Sequence, residues 1–495
     1  MKLKVNDLDI STGGTLIAIM NSQDARQLDI RALDRIKITY MGRTETVIVN
    51  ISETSKTVHS GEIGLVEEVL KSLNLRDRNI VKIALDRKPL SLGYIKKKLD
   101  GKELSKTEIE QIVWDIVHNK LSDIELTYFI SACYTNAMSQ RETILLTKAI
   151  ASQGERLELK RYPIVDKHSI GGIPGNRTSM IIVPIIAAGG YAIPKTSSRS
   201  ITSPAATADT MEVLADVSFS IEKVRKIVSS VNGCLVWGGA LNLAPADDKI
   251  IRVEKPLNID AESQLIASIM AKKLSVNSTH ILIDIPVGKN SKIERYRDAT
   301  ALKKRFEQIG RQLKRHVRVV ITDGTQPIGN GIGPALEARD VLYVLSRHPK
   351  RPLDLERKSI MMAGDIFQML GVKNGSMKAL EILNSGMAYK KMKEIISLQN
   401  GNPDIMPEDI PVGRYKSEYR ASKTGIIKSI NNEAVSKIAR IAGAPADKGA
   451  GIYLYKHVGD AVRSGEPIFT IYAENRDKLD YAVDISGEIA VLMVR

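Results

Sequence analysis

The chain changes its hydrophobic period along its length. Over residues 1 to about 84 the apolar positions alternate: Leu3 and Val5, then Ile36, Ile38 and Tyr40, then Val47, Val49 and Ile51. Turn signals at Gly13-Gly14 and Asn21-Ser22 separate the runs. Period two places one face of each strand in a core, so this stretch predicts a small β-rich domain, with one late helix over residues 67–73. From 103 to 153 the period becomes helical. Ser105-x-x-Glu108, Ser122-x-x-Glu125 and Ser139-x-x-Glu142 are three capping boxes in succession, each able to satisfy free N–H groups at a helix start. Apolar residues follow each at helical spacing: Ile109, Ile112, Val113 and Ile116; Leu126, Phe129, Ile130 and Cys133; Ile144, Leu145 and Ala149.

After residue 161 strands and helices alternate. Strands are expected over 162–165, 192–195, 234–237, 280–285 and 317–322, with helices between several of them, as over 210–214 and 221–231. Such alternation predicts a mostly parallel sheet with ligand loops at the strand C-termini. A helical stretch over 261–274 interrupts the series and is expected to pack with the earlier helical unit. Beyond 425 period two returns. Val458-Gly459-Asp460-Ala461-Val462 and Gly465-Glu466-Pro467-Ile468 resemble the hammerhead fold of biotinyl and lipoyl domains, without a lysine in the attachment hairpin. The expected class is therefore α/β and multi-domain. Residues 1–84 form a β-rich domain; 85–155, joined by 243–278, form an all-α domain. Residues 156–242 and 279–424 form a large α/β domain, and 425–495 a C-terminal α+β hammerhead-like region.

Composition narrows the class. Aromatic residues make up 4% of the 495 positions and hydrophobic ones 43%, so the cores must be built from Ile, Val, Leu and Ala. Two cysteines, Cys133 and Cys234, exclude a disulfide framework or a Cys-based zinc site and fit a reducing compartment. The start, MKLKVNDLDI, holds no apolar signal region, and the longest uncharged stretches are broken by glycine, proline and polar residues. A cytoplasmic protein without membrane association is expected. The net charge of +15 admits nucleic acid as a partner. The cations are scattered, however, and no aromatic-basic interleaving accompanies them. Solvated helix faces and a small anionic substrate are the readings that fit, without nucleic acid.

The strongest chemical signal lies at 166–180, Asp-Lys-His-Ser-Ile-Gly-Gly-Ile-Pro-Gly-Asn-Arg-Thr-Ser-Met. An apolar strand feeds into three glycines, two cations, one histidine and several hydroxyl or amide side chains. Glycines allow close backbone approach, and a turn of free N–H groups cradles an anion. Thr178 would cap a following helix whose dipole adds to the same site. The P-loop template is not met, because Asn176 follows Gly175, and there is no dinucleotide fingerprint. The stretch reads as a phosphate-binding loop. Four further segments join it: a hydroxyl-rich run over 196–203, Ala206-Thr207-Ala208-Asp209-Thr210, Leu243-Ala244-Pro245-Ala246-Asp247-Asp248, and Arg252, Asp260, Ser268 and Lys272 across the interrupting helical segment. Ser268 and Lys272 are four apart and share a helix face.

These segments, in this order, resemble the thymidine and pyrimidine-nucleoside phosphorylase family. The shared motifs are Lys167-His168-Ser169-x-Gly171-Gly172 with Thr178-Ser179, then Ser197-Ser198-Arg199, Leu243-Ala244-Pro245-Ala246-Asp247, and Ala267-Ser268-Ile269-Met270-Ala271-Lys272-Lys273. Three departures point to the branch of that family acting on nucleoside 5′-monophosphates. The loop reads Ile-Pro-Gly-Asn-Arg, the following segment is rich in hydroxyls where nucleoside enzymes are rich in glycine, and some 84 residues precede the helical unit.

The resemblance implies phosphorolysis of AMP, and of CMP and UMP, by inorganic phosphate to free base and ribose 1,5-bisphosphate, with no cofactor and no metal. It implies that Lys167, Ser169, Ser179, Ser197 and Thr207 hold inorganic phosphate. Gly172, Ser198, Arg199, Ser200, Ile201, Thr202, Ser203, Thr207, Ser268 and Lys292 would contact the nucleotide, Arg199 and Lys292 being the expected 5′-phosphate cations. Asp260 stands where the family's proton donor to the base stands, and His168, the second catalytic candidate, is the alternative source of that proton; His168 and Arg252 also occupy substrate-contacting positions. A homodimer or larger homo-oligomer is expected. A raised carboxylic-acid pKa would suit protonation of a departing base, and cations with N–H donors would suit a phosphate nucleophile. A nucleoside phosphorylase, an anthranilate-type phosphoribosyltransferase using Asp247-Asp248 for Mg²⁺, and a nucleic-acid-binding protein remain as alternatives.

Overall fold

The computed structural model spans residues 1–495 and describes all of them except Arg87, Arg161, Ile201, Thr202, Asn258, Asp260 and Ala490, and except the side chains at 255–257. Its contacts divide it into two compact units, residues 1–153 with 245–267, and 154–244 with 268–495.

The first unit opens with six strands, β1 (Lys2–Asp7), β2 (Ile17–Asn21), β3 (Arg35–Tyr40), β4 (Arg43–Ser52), β5 (Glu62–Leu65) and β6 (Ile80–Leu85). They close into a barrel in the order β1-β5-β2-β4-β3-β6. The alternation seen in sequence explains the closure: Leu3, Val5, Ile36, Ile38, Val47, Val49, Ile63 and Leu65 all point inward and are buried, and a closed barrel leaves no strand edge open. The helix Glu67–Leu73 stands beside it. Helices Ser91–Leu99, Lys106–Val117, Asp123–Thr135, Gln140–Ser152 and Pro245–Leu257 form the bundle. All three capping boxes are made, Ser105 with Glu108, Ser122 with Glu125 and Ser139 with Glu142. Ion pairs Lys120–Asp86 and Arg35–Glu125 fasten barrel to bundle.

In the second unit β7 (Val165–Ser169), β8 (Ile193–Ser197), β9 (Gly233–Trp237), β10 (His280–Val287) and β11 (His316–Asp323) carry the α/β part. β10 pairs in parallel with both β11 and β7, β8 pairs in parallel with β9, and a parallel bridge from Ile164 to Ala192 links the two groups. Every pairing here is parallel, so every strand delivers its C-terminal end to the same edge. Helices Thr178–Ala188, Ile221–Val231, Tyr296–Gln312, Pro334–Leu345 and Leu353–Met369 surround the sheet. Thr178–Ala188 is buried along its length except at its final residue, which fits its run of Met, Ile, Val and Ala. Two local expectations change. β7 extends through Ser169, so Lys167, His168 and Ser169 are strand residues and the loop proper is 170–177. Thr178 is the first helical residue rather than the cap; Arg177 holds the cap position and makes no side-chain capping bond.

The C-terminal strands Tyr415–Arg420, Gly451–Leu454 and Pro467–Ala473 pair antiparallel, and the short strand Gly331–Ile332 of the α/β part adds to their sheet beside Gly451–Leu454. The fold is mixed α/β and multi-domain. No helix among the described residues is long and apolar enough to cross a membrane.

Candidate active site

The glycine loop leaves β7 and turns into the helix Thr178–Ala188. Two glycines are required by crowding as well as by backbone. Gly172 has φ +93°, and a Cβ there would lie 2.7 Å from the Lys292 backbone nitrogen. Gly175 has φ +74°, and its Cβ would lie 2.1 Å from the Ile328 carbonyl oxygen. Any larger residue must push these segments apart and adopt a strained conformation. The loop is thus clamped between the turn after β10 and the turn at 328–331. Gly172 and Lys292, two residues expected to contact the nucleotide, are brought together.

Beneath the loop lies a buried set of charges. Asp166 on β7 accepts a hydrogen bond from Lys273 Nζ at 2.8 Å, with Lys195 Nζ on β8 at 3.9 Å. Asp284 on β10 faces Lys358 Nζ at 3.3 Å and Lys167 Nζ at 4.0 Å. Asp284 also accepts from Ser169 Oγ at 3.1 Å, Asn176 Nδ2 at 3.3 Å and Thr322 Oγ1 at 2.6 Å. Burial alone would raise its pKa, but Lys358, Lys167 and these hydrogen bonds outweigh that and hold it below the ordinary carboxylate value. It is an acceptor that orients the Ser169 hydroxyl and the Asn176 amide. Lys167 also donates to Thr178 Oγ1 at 2.8 Å, in the first turn of the helix.

Four lysines therefore meet two carboxylates. The consequence is visible in their acidities. Burial lowers Lys167 to about 8 and Lys195 to about 7. His168 falls well below its ordinary value through burial and the neighbouring Lys273, Lys195, Lys272 and Lys167. An imidazole so placed is neutral at pH 7. It can donate or accept one hydrogen bond, but has no additional proton to give a leaving base. Lys272 is thereby placed near His168, as Lys273 is near Asp166.

The hydroxyl-rich segment follows β8. Ser197 ends the strand, where its Oγ reaches the Val236 carbonyl oxygen at 3.5 Å. Ser198 is exposed. The Ser200 N–H donates to Asp209 Oδ2 at 2.7 Å, and Ser203 Oγ donates to the Ala205 oxygen at 2.9 Å. Thr207 accepts from Arg177 at 3.4 Å, which joins this segment to the glycine loop. Arg199 differs from expectation. Its fork donates to Glu212, with one bond at 2.8 Å, lies 3.6 Å from Asp209 and stacks over Trp237. A guanidinium so paired is a strut, and is not poised as an open phosphate receptor. Arg177, expected to lend charge to the loop, is likewise paired, with buried Glu337. Ser268 lies on the helix Glu262–Ser275. Asp260, Ile201 and Thr202 lie outside the described residues. In the first unit Arg252 pairs with Asp123 at 2.9 Å and donates to the Gly13 oxygen at 3.3 Å.

Sequence reasoning gave no role to Asp166 and Lys273, though both stand in the motifs it quoted, and passed over Lys195, Asp284, Glu337 and Lys358. A signal existed for some. Asp284 stands inside His-Ile-Leu-Ile-Asp-Ile-Pro-Val, and Lys195 inside Ala-Ile-Pro-Lys-Thr. A strand buried on both faces hides a charge only where a partner or a ligand awaits it.

Comparison with known proteins agrees with this architecture. Residues 92–154 match the helical bundle domain of a glycosyl transferase family, 161–389 match that family's a/b domain, and 426–488 match the pyrimidine nucleoside phosphorylase C-terminal domain. In fold the chain resembles the crystal structure of anthranilate phosphoribosyltransferase from Thermus thermophilus. The TM-score is 0.52 and the identity 18%, over 62% of this chain and 99% of that one. Similarity in sequence runs from end to end. AMP phosphorylase of Thermococcus kodakarensis is 46% identical over 98% of this chain and 96% of its own length. That of Pyrococcus furiosus is 45% identical over 100% and 98%. AMP phosphorylase 1 of Archaeoglobus fulgidus is 44% identical over 96% and 94%. Identity at this level across all the parts of the molecule places the chain in the AMP phosphorylase family.

Proposed function

We propose that this chain cleaves AMP with inorganic phosphate, releasing adenine and ribose 1,5-bisphosphate, and that it accepts CMP and UMP in the same way. The observation that carries the reading is the near-complete overlap with AMP phosphorylases at 44–46% identity. The buried surplus of lysine at the strand ends supports it, because phosphate is the reactant such a surplus would hold.

In this reading a phosphate oxygen attacks C1′, the bond from C1′ to the base nitrogen breaks, and its electron pair leaves with the base, which takes up a proton. Lys167, Ser169, Ser179, Ser197 and Thr207 hold the phosphate, with Asp284 orienting Ser169. Fixing the nucleophile beneath C1′ supplies much of the rate through orientation. Gly172, Ser198, Ser200, Ile201, Thr202, Ser203, Ser268 and Lys292 contact the nucleotide. Lys292, whose backbone closes on Gly172, takes the leading share of the 5′-phosphate in place of Arg199. Asp260 delivers the proton, since His168 is neutral at pH 7. A homo-oligomer in the cytoplasm belongs to the same proposal. Light scattering would give its size.

The test is direct. The chain is incubated with AMP with and without phosphate, and products are separated by chromatography. Adenine that appears only with phosphate supports the reading. Adenosine as an equally good substrate would point to a nucleoside phosphorylase, and absence of adenine release would overturn the proposal.

A further inference from the structure

Glu337 lies on the helix Pro334–Leu345, is 1% exposed, and belongs to neither the glycine loop nor the hydroxyl-rich segment. Its carboxylate nevertheless gathers donors from three separate stretches. Oε2 accepts from Arg177 Nε and from Thr210 Oγ1, the latter at 3.0 Å, and Oε1 accepts from the Gly333 N–H at 3.2 Å. Arg177 then spends its remaining nitrogens on the nucleotide side: Nη2 donates to the Ala205 oxygen at 2.8 Å and Nη1 to Thr207 Oγ1 at 3.4 Å. The residue before Arg177 is Asn176, whose amide donates to Ser169 Oγ at 3.4 Å. One buried carboxylate therefore stands behind a chain of contacts that ends on Ser169 in one direction and Thr207 in the other.

We propose that Glu337 is a positioning residue which, through Arg177, locks the phosphate loop to the segment 205–210 and so holds Ser169 and Thr207 in register for phosphate and nucleotide together. This rests on the phosphorolysis proposed above. The physical case is the asymmetry of buried pairs. A guanidinium at 9% exposure needs its carboxylate; without it the charge must reorient toward water or another anion. In this location the reorienting group carries Thr207 and Ala205 with it. Arg177 also offers five donors in a rigid planar fork, so it holds a carboxylate and two oxygens of a neighbouring segment in fixed relative positions, which the single nitrogen of lysine does not.

The experiment uses the full chain in three forms: unchanged, Glu337→Gln, and the double variant Arg177→Met with Glu337→Met. Melting temperature, binding of inorganic phosphate by calorimetry, and KM for phosphate and for AMP are measured on each. Glu337→Gln should weaken phosphate binding and raise both KM values at least tenfold. The double variant removes both charges and fills their space, so it should melt near the unchanged protein while its phosphate binding and both KM values stay impaired. A double variant that recovers melting temperature and phosphate binding together would reduce the pair to architecture and overturn the proposal. Unaltered phosphate binding in Glu337→Gln would do the same. Should Glu337→Gln fail to fold, the double variant decides alone. Failure of the unchanged protein to release adenine would refute the proposed reaction, and the phosphate titrations would still report on the lock.

Discussion

In the helical bundle Lys98 is buried against Glu142, with both carboxylate oxygens within 3.1 Å of its nitrogen, and Glu142 also accepts from the Leu104 and Ser139 N–H groups. At the strand ends of the other unit Lys167, Lys195, Lys273 and Lys358 gather around Asp166 and Asp284, with Asp323 and Asp354 acting on Lys358 as well. In this bundle pair each hidden charge has its partner and further hydrogen bonds, which is what a structural pair requires. At the strand ends the positive charge is in excess. Burial has already lowered Lys167 and Lys195 toward neutrality to relieve that excess. A saturated pair leaves no charge for a ligand, whereas a buried excess of positive charge is what an anion would complete.

Lys98→Met leaves Glu142 buried without its cation, and should cost about 3–5 kcal/mol of stability. Chemical denaturation measures the loss, and KM for phosphate should be unchanged. A large rise in that KM would mean that the bundle pair is functional after all, and the distinction would fail.

The complementary variant is Lys167→Ala. It should weaken phosphate use by about 1.5–3 kcal/mol, the range for charge-assisted hydrogen bonds, or roughly ten- to a hundredfold in KM. The ligand-free protein should not lose stability in proportion, because the variant relieves crowding among Lys358, Arg177 and Lys273 as well as removing a contact to Asp284. Phosphate should raise the melting temperature of the unchanged protein and much less that of the variant. Equal stabilisation of both would show that the anion sits elsewhere.

Acidity gives a third, smaller effect. In the proposed role the charged form of Lys167 holds phosphate, and its pKa is lowered to about 8. Phosphate affinity should therefore fall as pH rises through 8, by about tenfold near pH 9 if this group dominates. The stability of the ligand-free protein should move the other way. An unfolded lysine keeps its proton to about 10.4, so between 8 and 10 the unfolded chain binds more protons and stability rises with pH. Phosphate titrations and thermal melts over that window check both signs. Affinity flat from pH 7 to 9.5 would remove Lys167 from the phosphate site.

The smallest effect is expected from Arg199→Ala. Its partly exposed guanidinium already pairs with Glu212, so AMP use should fall less than tenfold and stability by about 0.2–1 kcal/mol, the range for exposed pairs. A loss above tenfold on AMP with none on adenosine would mean that Arg199 leaves Glu212 for the 5′-phosphate.

Much of the fold is legible in the residues because its signals are local. The three capping boxes sit where their Ser-x-x-Glu spacing puts them, and the helices Glu67–Leu73 and Ile221–Val231 follow their periodicity to the residue. The end of β7 is harder to read. Lys167, His168 and Ser169 are polar, and polar residues after an apolar run read as loop, whereas pairing with β10 keeps them extended. For the same reason Arg199 and Arg177 read as free cations. Their partners Glu212 and Glu337 lie 13 and 160 residues away, and nothing in a local pattern announces them.

What the sequence determined by itself was the class of most segments and the glycine turn between β7 and the helix after it, since hydrophobic period, caps and glycines act within a few residues. What only the tertiary structure decided was which charges are spent and which remain. That depends on Asp166, Asp284 and Glu337 arriving from strands and helices distant in the chain. The free energy of a buried charge is set by the few ångströms around it, and those ångströms are filled by whichever residues the fold brings there.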